Sequence, residues 1–259
     1  MASHNDFTTL GSTGLRRYGG AVHDEYHPKL RGLRGIQVYQ EMSLTAPIVG
    51  AVLFAIESLV RSVSWNVRPA NSTPEAQQQR EFIETSIQDM SLTWPDLISE
   101  ILTLLVYGWS YFETVYKIRG GVDQTDPKLR SQYNDGKISW RKHSIRAQDT
   151  LSEWVFDREG GIRGMIQIDS GSGFYGPVFI PIEKSLLFRT RTNKGNPEGR
   201  SLLRNAYRPW FFLKRMQEIE AIGIERDLAG LPMMEVPPEL LSPNASSSDR
   251  TLLADIESF

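Results

Sequence analysis

The stretch GNPEGRSLLRNAYRPWFFLKRMQEIEAIGIERDLAGLPMMEV, residues 195–236, decides the architecture, because it reads as one long helix punctuated at both ends. Asn193 and Asn196 lie in a breaker-rich loop before it, and Gly230 with Pro232 supplies the stop expected just past a helix end. A helix over residues 199–229 rises ~1.5 Å per residue and reaches ~45 Å, well beyond the usual globular helix. On it Arg200, Arg204, Arg208 and Arg215 share one stripe that turns acidic at Glu218 and Glu225, while Leu203, Tyr207, Trp210 and Phe211 occupy other faces. Pro209 has no N–H and its ring clashes with the carbonyl four residues earlier, so a bend is expected over residues 205–209. The stripe has two readings. It is either a solvated or inter-subunit face, with arginines of one chain near acids of another, or a contact for a phosphate backbone, which requires cationic charge but no base code.

Upstream of this helix the period is two. WSYFETVYKIR (109–119) carries aromatic and β-branched residues on both faces, as a central strand does, and Gly120 with Gly121 turns the chain. Residues 122–136 are a polar insertion. Further strands are expected at 137–143, 152–157, 162–169, 178–181 and 186–191, with a turn over 159–161. Three helices precede this meander: one after Thr45 and Pro47, one after Thr73 and Pro74, and one after Thr93 and Pro95 that stops near Gly108. The alternation in VSWNVR (63–68) suggests a strand ending at Pro69. Helices followed by an antiparallel or mixed meander give an α+β fold rather than a doubly wound sheet. Residues 1–35 are rich in Gly, Ser and basic residues without periodicity and read as an N-terminal arm, flexible or draped over a neighbour.

Composition bounds the function. A chain of 259 residues, 40% hydrophobic, can bury a real core. Its 29 basic and 31 acidic residues nearly cancel, so a nucleic-acid surface would have to arise from local placement. The absence of cysteine excludes disulfides and thiolate metal sites and fits a reducing compartment. No secretory signal opens the sequence, and the apolar runs 47–60 and 97–109 carry Glu57 and Glu100 and fall short of the ~20 residues that a bilayer span requires. A soluble protein with no membrane partner is expected.

The motifs that carry chemistry elsewhere are weak here. GSGFYG (171–176) matches the GxGxxG pattern, but Pro177 and Pro181 follow where a helix N-terminus would have to meet phosphate, so it reads as a loop. His23 and His27 have the spacing of a helical metal pair, yet Pro28 follows at once and the surroundings are irregular; no metal site and no cofactor is expected. Glu113 shares a strand face with Trp109, Tyr111 and Val115, and a catalytic role would require a raised pKa and a nearby partner. The plainer reading is an acid paired with an arginine that locks the sheet. Carboxylates are otherwise scattered singly, and no nucleophile elbow exists.

Several segments in order carry a resemblance: TAPIVGAVLFAIESLVRSVSWNVRPA (45–70), LLVYGWSYFETVYK (104–117), DTLSEWVFDREGGIRGMIQ (149–167), GNPEGRSLLRNAYRPWFFLKRMQ (195–217) and ERDLAGLPM (225–233). Together they resemble the portal proteins of tailed bacteriophages, most closely the group of phage Mu and its relatives, over about residues 28–236; YGWSYFE and GNPEGRSLLRNAYRPW are the most distinctive parts. The resemblance implies a homo-oligomeric ring, typically of twelve subunits, at one capsid vertex. Double-stranded DNA passes through it during packaging and ejection, and the terminase large subunit, head-tail adaptor proteins and the major capsid protein are its partners. It implies a virion component, in the host cytoplasm during assembly, with no catalytic centre. On this pattern residues 1–27 are an arm, 28–198 the α+β wing, 199–230 a stem helix and 231–259 the start of the clip. Arg200, Arg204, Arg208 and Arg215 then face DNA or a neighbouring subunit, Glu218 and Glu225 face a subunit, and Pro209 marks the helix bend. Portal chains are longer, with a returning stem helix, a channel loop and a crown, so a partial chain is expected. Two other classes stay open: a metal-dependent nucleic-acid-processing enzyme built on Glu113, and a head-tail adaptor.

Overall fold

In the computed structural model, residues 11–169, 176–229 and 235–257 are described. The chain divides into two compact units, residues 1–210 and 211–259.

The first unit opens with a small hairpin, β1 (Arg17–Tyr18) and β2 (Ala21–Val22), followed by four helices: α1 (Gly32–Thr45), α2 (Pro47–Arg61), α3 (Pro74–Gln88) and α4 (Trp94–Tyr107). The expected caps of the last two form. The hydroxyls of Thr73 and Thr93 accept from the backbone N–H of Ala76 and Asp96, both at 3.3 Å, with a proline in each first turn. Helix α1 lies partly in the region read as an arm. It has no side-chain cap and holds two glycines, but it buries Gly35, Tyr39 and Met42 at i, i+4 and i+7. Thr45 therefore ends α1 rather than capping α2, and the two helices meet at 89°. Residues 63–68 form no strand; Trp65 instead sets its ring edge-on to Trp94 at 6.2 Å.

The strands follow the expected meander: β3 (Trp109–Gly120), β4 (Asn134–Arg146), β5 (Leu151–Phe156), β6 (Ile162–Asp169), β7 (Gly176–Pro181) and β8 (Ser185–Arg189). They pair antiparallel in two sheets, ordered β4-β3-β8 and β5-β6-β7. An α+β fold follows. The core joins the two sheets through Trp109, Tyr111, Trp154, Met165 and Ile180, with Val22 of the arm added to it. Trp109 meets Trp154 edge to face at 5.0 Å, and the buried Tyr111 hydroxyl donates to Ile180 O at 3.0 Å. Apart from Gly176, the GSGFYG segment lies outside the described residues.

One end of β3 has an inverted pattern. Lys117 and Arg119 are buried beneath α3 and the 122–133 insertion, whereas Tyr116 and Ile118 face outward. Lys117 Nζ is satisfied there: it pairs with Asp89 at 3.0 Å and donates to Asp89 O and Arg130 O. Asp89 also accepts from Ser131 and Gln132; burial pushes its carboxyl up, but these hydrogen bonds and the Lys117 charge outweigh it and hold the pKa below the ordinary value.

The long helix starts later than expected. Leu202–Asn205 is a 3-10 helix, capped by the Ser201 hydroxyl accepting from Leu203 N, and the α-helix α5 runs Tyr207–Ala229. Its 23 residues span ~35 Å rather than ~45 Å. Pro209 sits in the first turn of α5, where an N–H has no intrahelical acceptor to lose. In the second unit α5 is followed by a 3-10 turn, Pro238–Leu241, and by α6 (Ser247–Glu257). The expected stop at Gly230 and Pro232 lies outside the described residues.

Candidate functional site

The segment that enters α5 is clasped to the end of α4. Gly108 ends α4 in the left-handed region, φ 96°, and a Cβ there would come to 2.5 Å from Glu198 O. Gly199, φ 57°, faces it, and its own Cβ would collide with Gly108 O. Thr190 ties the three strands of chain together: its N–H donates to Gly108 O at 3.0 Å, its hydroxyl to Arg200 O at 2.6 Å, and it accepts from Arg200 N at 3.0 Å. Ser201 donates to Val106 O. Only glycine at both positions lets two backbones approach this closely.

This clasp positions the arginines. Arg204 forks onto Glu25 of the arm, both contacts at 2.7 Å, and Glu25 also accepts from His27 N. Burial pushes the Glu25 carboxyl up, but the Arg204 and His27 hydrogen bonds prevail and hold it below its ordinary value. His27 caps a 3-10 turn and packs edge-on to the buried Tyr207 at 5.1 Å. Arg200 donates to Asn205 at 2.6 Å, and Arg208 is exposed in the first turn of α5. In the second unit Arg215 pairs with Glu218 at 2.9 Å, i to i+3 on one helix, and Glu225 is exposed. Arg200 and Arg204 thus precede the α-helix, and only Arg208 and Arg215 lie on it.

Glu113 is the sheet lock that its strand position suggested. It pairs with Arg146 across β3–β4 and with Lys184 at 2.8 Å. Burial raises its pKa, and the Lys184 and Arg146 hydrogen bonds bring it below the ordinary carboxylate value, so it is an ionised partner and not a poised acid. Among the described residues no group of three His, Cys, Asp or Glu side chains could hold a metal ion.

The largest unsatisfied feature is apolar. Helix α2 buries none of its residues, and Ile48, Val52, Ala55 and Leu59, at i, i+4, i+7 and i+11, form one outward face. Ile48 is 80% exposed and Leu59 69%. In the second unit Phe212, Met216 and Ile219 form a similar exposed row on α5. Sequence reasoning passed over both, although the apolar residues of α2 extend beyond the single stripe that packing on one side would cover. Among the described residues no single helix is long and apolar enough to cross a membrane.

A family model described as the portal protein of Mu bacteriophage matches residues 36–257. The chain belongs to the Mu bacteriophage portal protein family. Membership makes it a structural component of the phage particle and part of an oligomeric capsid assembly. The matched region includes both YGWSYFE (107–113) and GNPEGRSLLRNAYRPW (195–210). These two segments, remote in sequence, are the ones that the Gly108–Gly199 clasp holds together.

Proposed function

We propose that the chain is a subunit of a closed, twelve-membered portal ring at one capsid vertex. The ring's channel passes double-stranded DNA inward during packaging and outward on ejection, and its outer parts dock the terminase large subunit, head-tail adaptors and the major capsid protein. Residues 28–198 serve as the wing, α5 as a stem strut and the segment from residue 231 as the approach to the clip. The mechanism is geometric and non-enzymatic: identical wedge-shaped subunits meet head to tail, and a rotation that closes leaves no open interface.

The outward face of α2 supports this reading most. Four apolar side chains on one helix face, uncovered in a lone chain, are what a subunit boundary buries at ~25 cal/mol per Å². The basic stripe Arg200, Arg204, Arg208 and Arg215 serves contacts with a neighbouring subunit or with DNA, and Glu218 and Glu225 serve contacts with a neighbour. Glu113, occupied by two cations, gives the nuclease reading no poised acid.

The test is a Val52→Asp, Leu59→Asp double variant. It should keep its circular dichroism spectrum, because neither side chain is buried in the monomer, and lose the high-mass assembly in sedimentation velocity. An unchanged assembly with both charges in place would remove α2 from the boundary.

A further inference from the structure

We propose that the cavity bounded by the arm, α1, the end of α4 and the 191–204 segment binds a phosphate-type oxoanion. The cavity measures about 370 Å³ and lies wholly within the first unit. Its charge is unbalanced. Of the acids on its wall, Asp24 is matched by Lys194 at 2.9 Å and Glu25 by Arg204. Arg31, Arg191 and Arg200 line it as well, and none of the three has a carboxylate partner among the described residues. Arg31 donates only to the backbone oxygens of Glu25 and Tyr26, and Arg200 only to Asn205, which leaves both with free N–H groups; Arg191 has no partner among the described residues.

Neutral donors complete the wall. Tyr39 is only 7% exposed and lines the cavity, and its hydroxyl makes no hydrogen bond among the described residues, so it is available there as a donor. Burial pushes its pKa up to about 12, so it stays a donor. Tyr107 lines the same space, also without a partner among the described residues. Glu198 is the one acid on the wall without a basic partner there. Its pKa is pushed up to about 7 by burial, against the opposite pull of the Trp154 indole N–H at 3.3 Å, so it carries a proton for part of the neutral range. Guanidinium forks with surplus N–H groups, two phenols and an amide at Asn196 suit a tetrahedral, multiply accepting anion better than a flat carboxylate.

Isothermal titration of the intact protein with inorganic phosphate tests the site. Saturable binding is expected, weakened by about tenfold or more in an Arg191→Ala, Arg200→Ala double variant, equivalent to ~1.4 kcal/mol or more. Both arginines are exposed, so the variant should fold; a circular dichroism spectrum matching the parent checks this. A Tyr39→Phe variant, which removes one hydroxyl and keeps the ring, should bind phosphate several-fold more weakly. Competition by a short DNA duplex assigns the anion to a nucleic-acid backbone, and its failure to compete assigns it to free phosphate. No saturable binding by the parent, or equal binding by parent and double variant, overturns the proposal.

Discussion

At the residue scale, two ionisable groups make sharp predictions, the half-buried Glu198 and the buried Lys117. Glu198 titrates near 7 in the fold against an ordinary value of 4.5, so between those pH values the folded chain binds a proton that the unfolded chain does not. Its contribution to stability is therefore most favourable below about pH 4.5, declines as pH rises, and levels off above about 7, a change of about 3 kcal/mol. His143, whose pKa burial lowers, works in the opposite sense below 6.5, so the comparison must be differential. Denaturation of the parent and of Glu198→Gln should show a stability difference that shifts in the variant's favour between pH 5 and pH 7. Glu25, Asp89 and Glu113, held below their ordinary values, lose their contributions only at lower pH. Lys117→Met leaves Asp89 buried without its cation and should cost about 3–5 kcal/mol in urea denaturation. An arginine partner for Glu113 was legible in the sequence, but the partners of Glu25 and Asp89 were not. Glu25 and Arg204 lie 179 residues apart, and Lys117 sits at a strand position whose alternation alone does not say which face is covered.

At the element scale, local signals were read well where local chemistry decides. The threonine–proline pairs at 73–74 and 93–95, Gly108, and the period of two from residue 109 onward all fixed elements that the structure contains. Where a remote contact decides, the reading failed. The 63–68 alternation found no strand to pair with, and α1 starts without a side-chain cap, its Gly35 set so close to the Leu30 backbone that a Cβ there would collide. Residues 200–206 have helical composition, but Thr190 and the Gly108 carbonyl hold the chain at Arg200, and only Tyr207 is free to begin α5. Gly108→Ala should show how much this clasp matters. A side chain there meets both a positive φ and the backbone of residues 198–200, so a loss of at least about 2 kcal/mol is expected in thermal denaturation, whereas the same change at the open, helical Gly223 should be neutral or stabilising.

At the scale of the whole molecule, two features point the same way. The family match covers all but the first 35 residues and the last two, and helix α2 leaves an apolar face uncovered in the isolated chain. Family membership was readable from the order of short segments, whereas the exposed face was not, because apolar periodicity predicts burial without saying against what. The arginines of the 200–215 stripe sit in different settings: Arg204 pairs with Glu25, Arg215 pairs with Glu218 along α5, and Arg208 lies in the first turn of α5. Native mass spectrometry of the purified protein at near-physiological salt is the most direct test of the ring. A single dominant assembly of about twelve subunits is the predicted result, and a monomer or dimer persisting at micromolar concentration would contradict it.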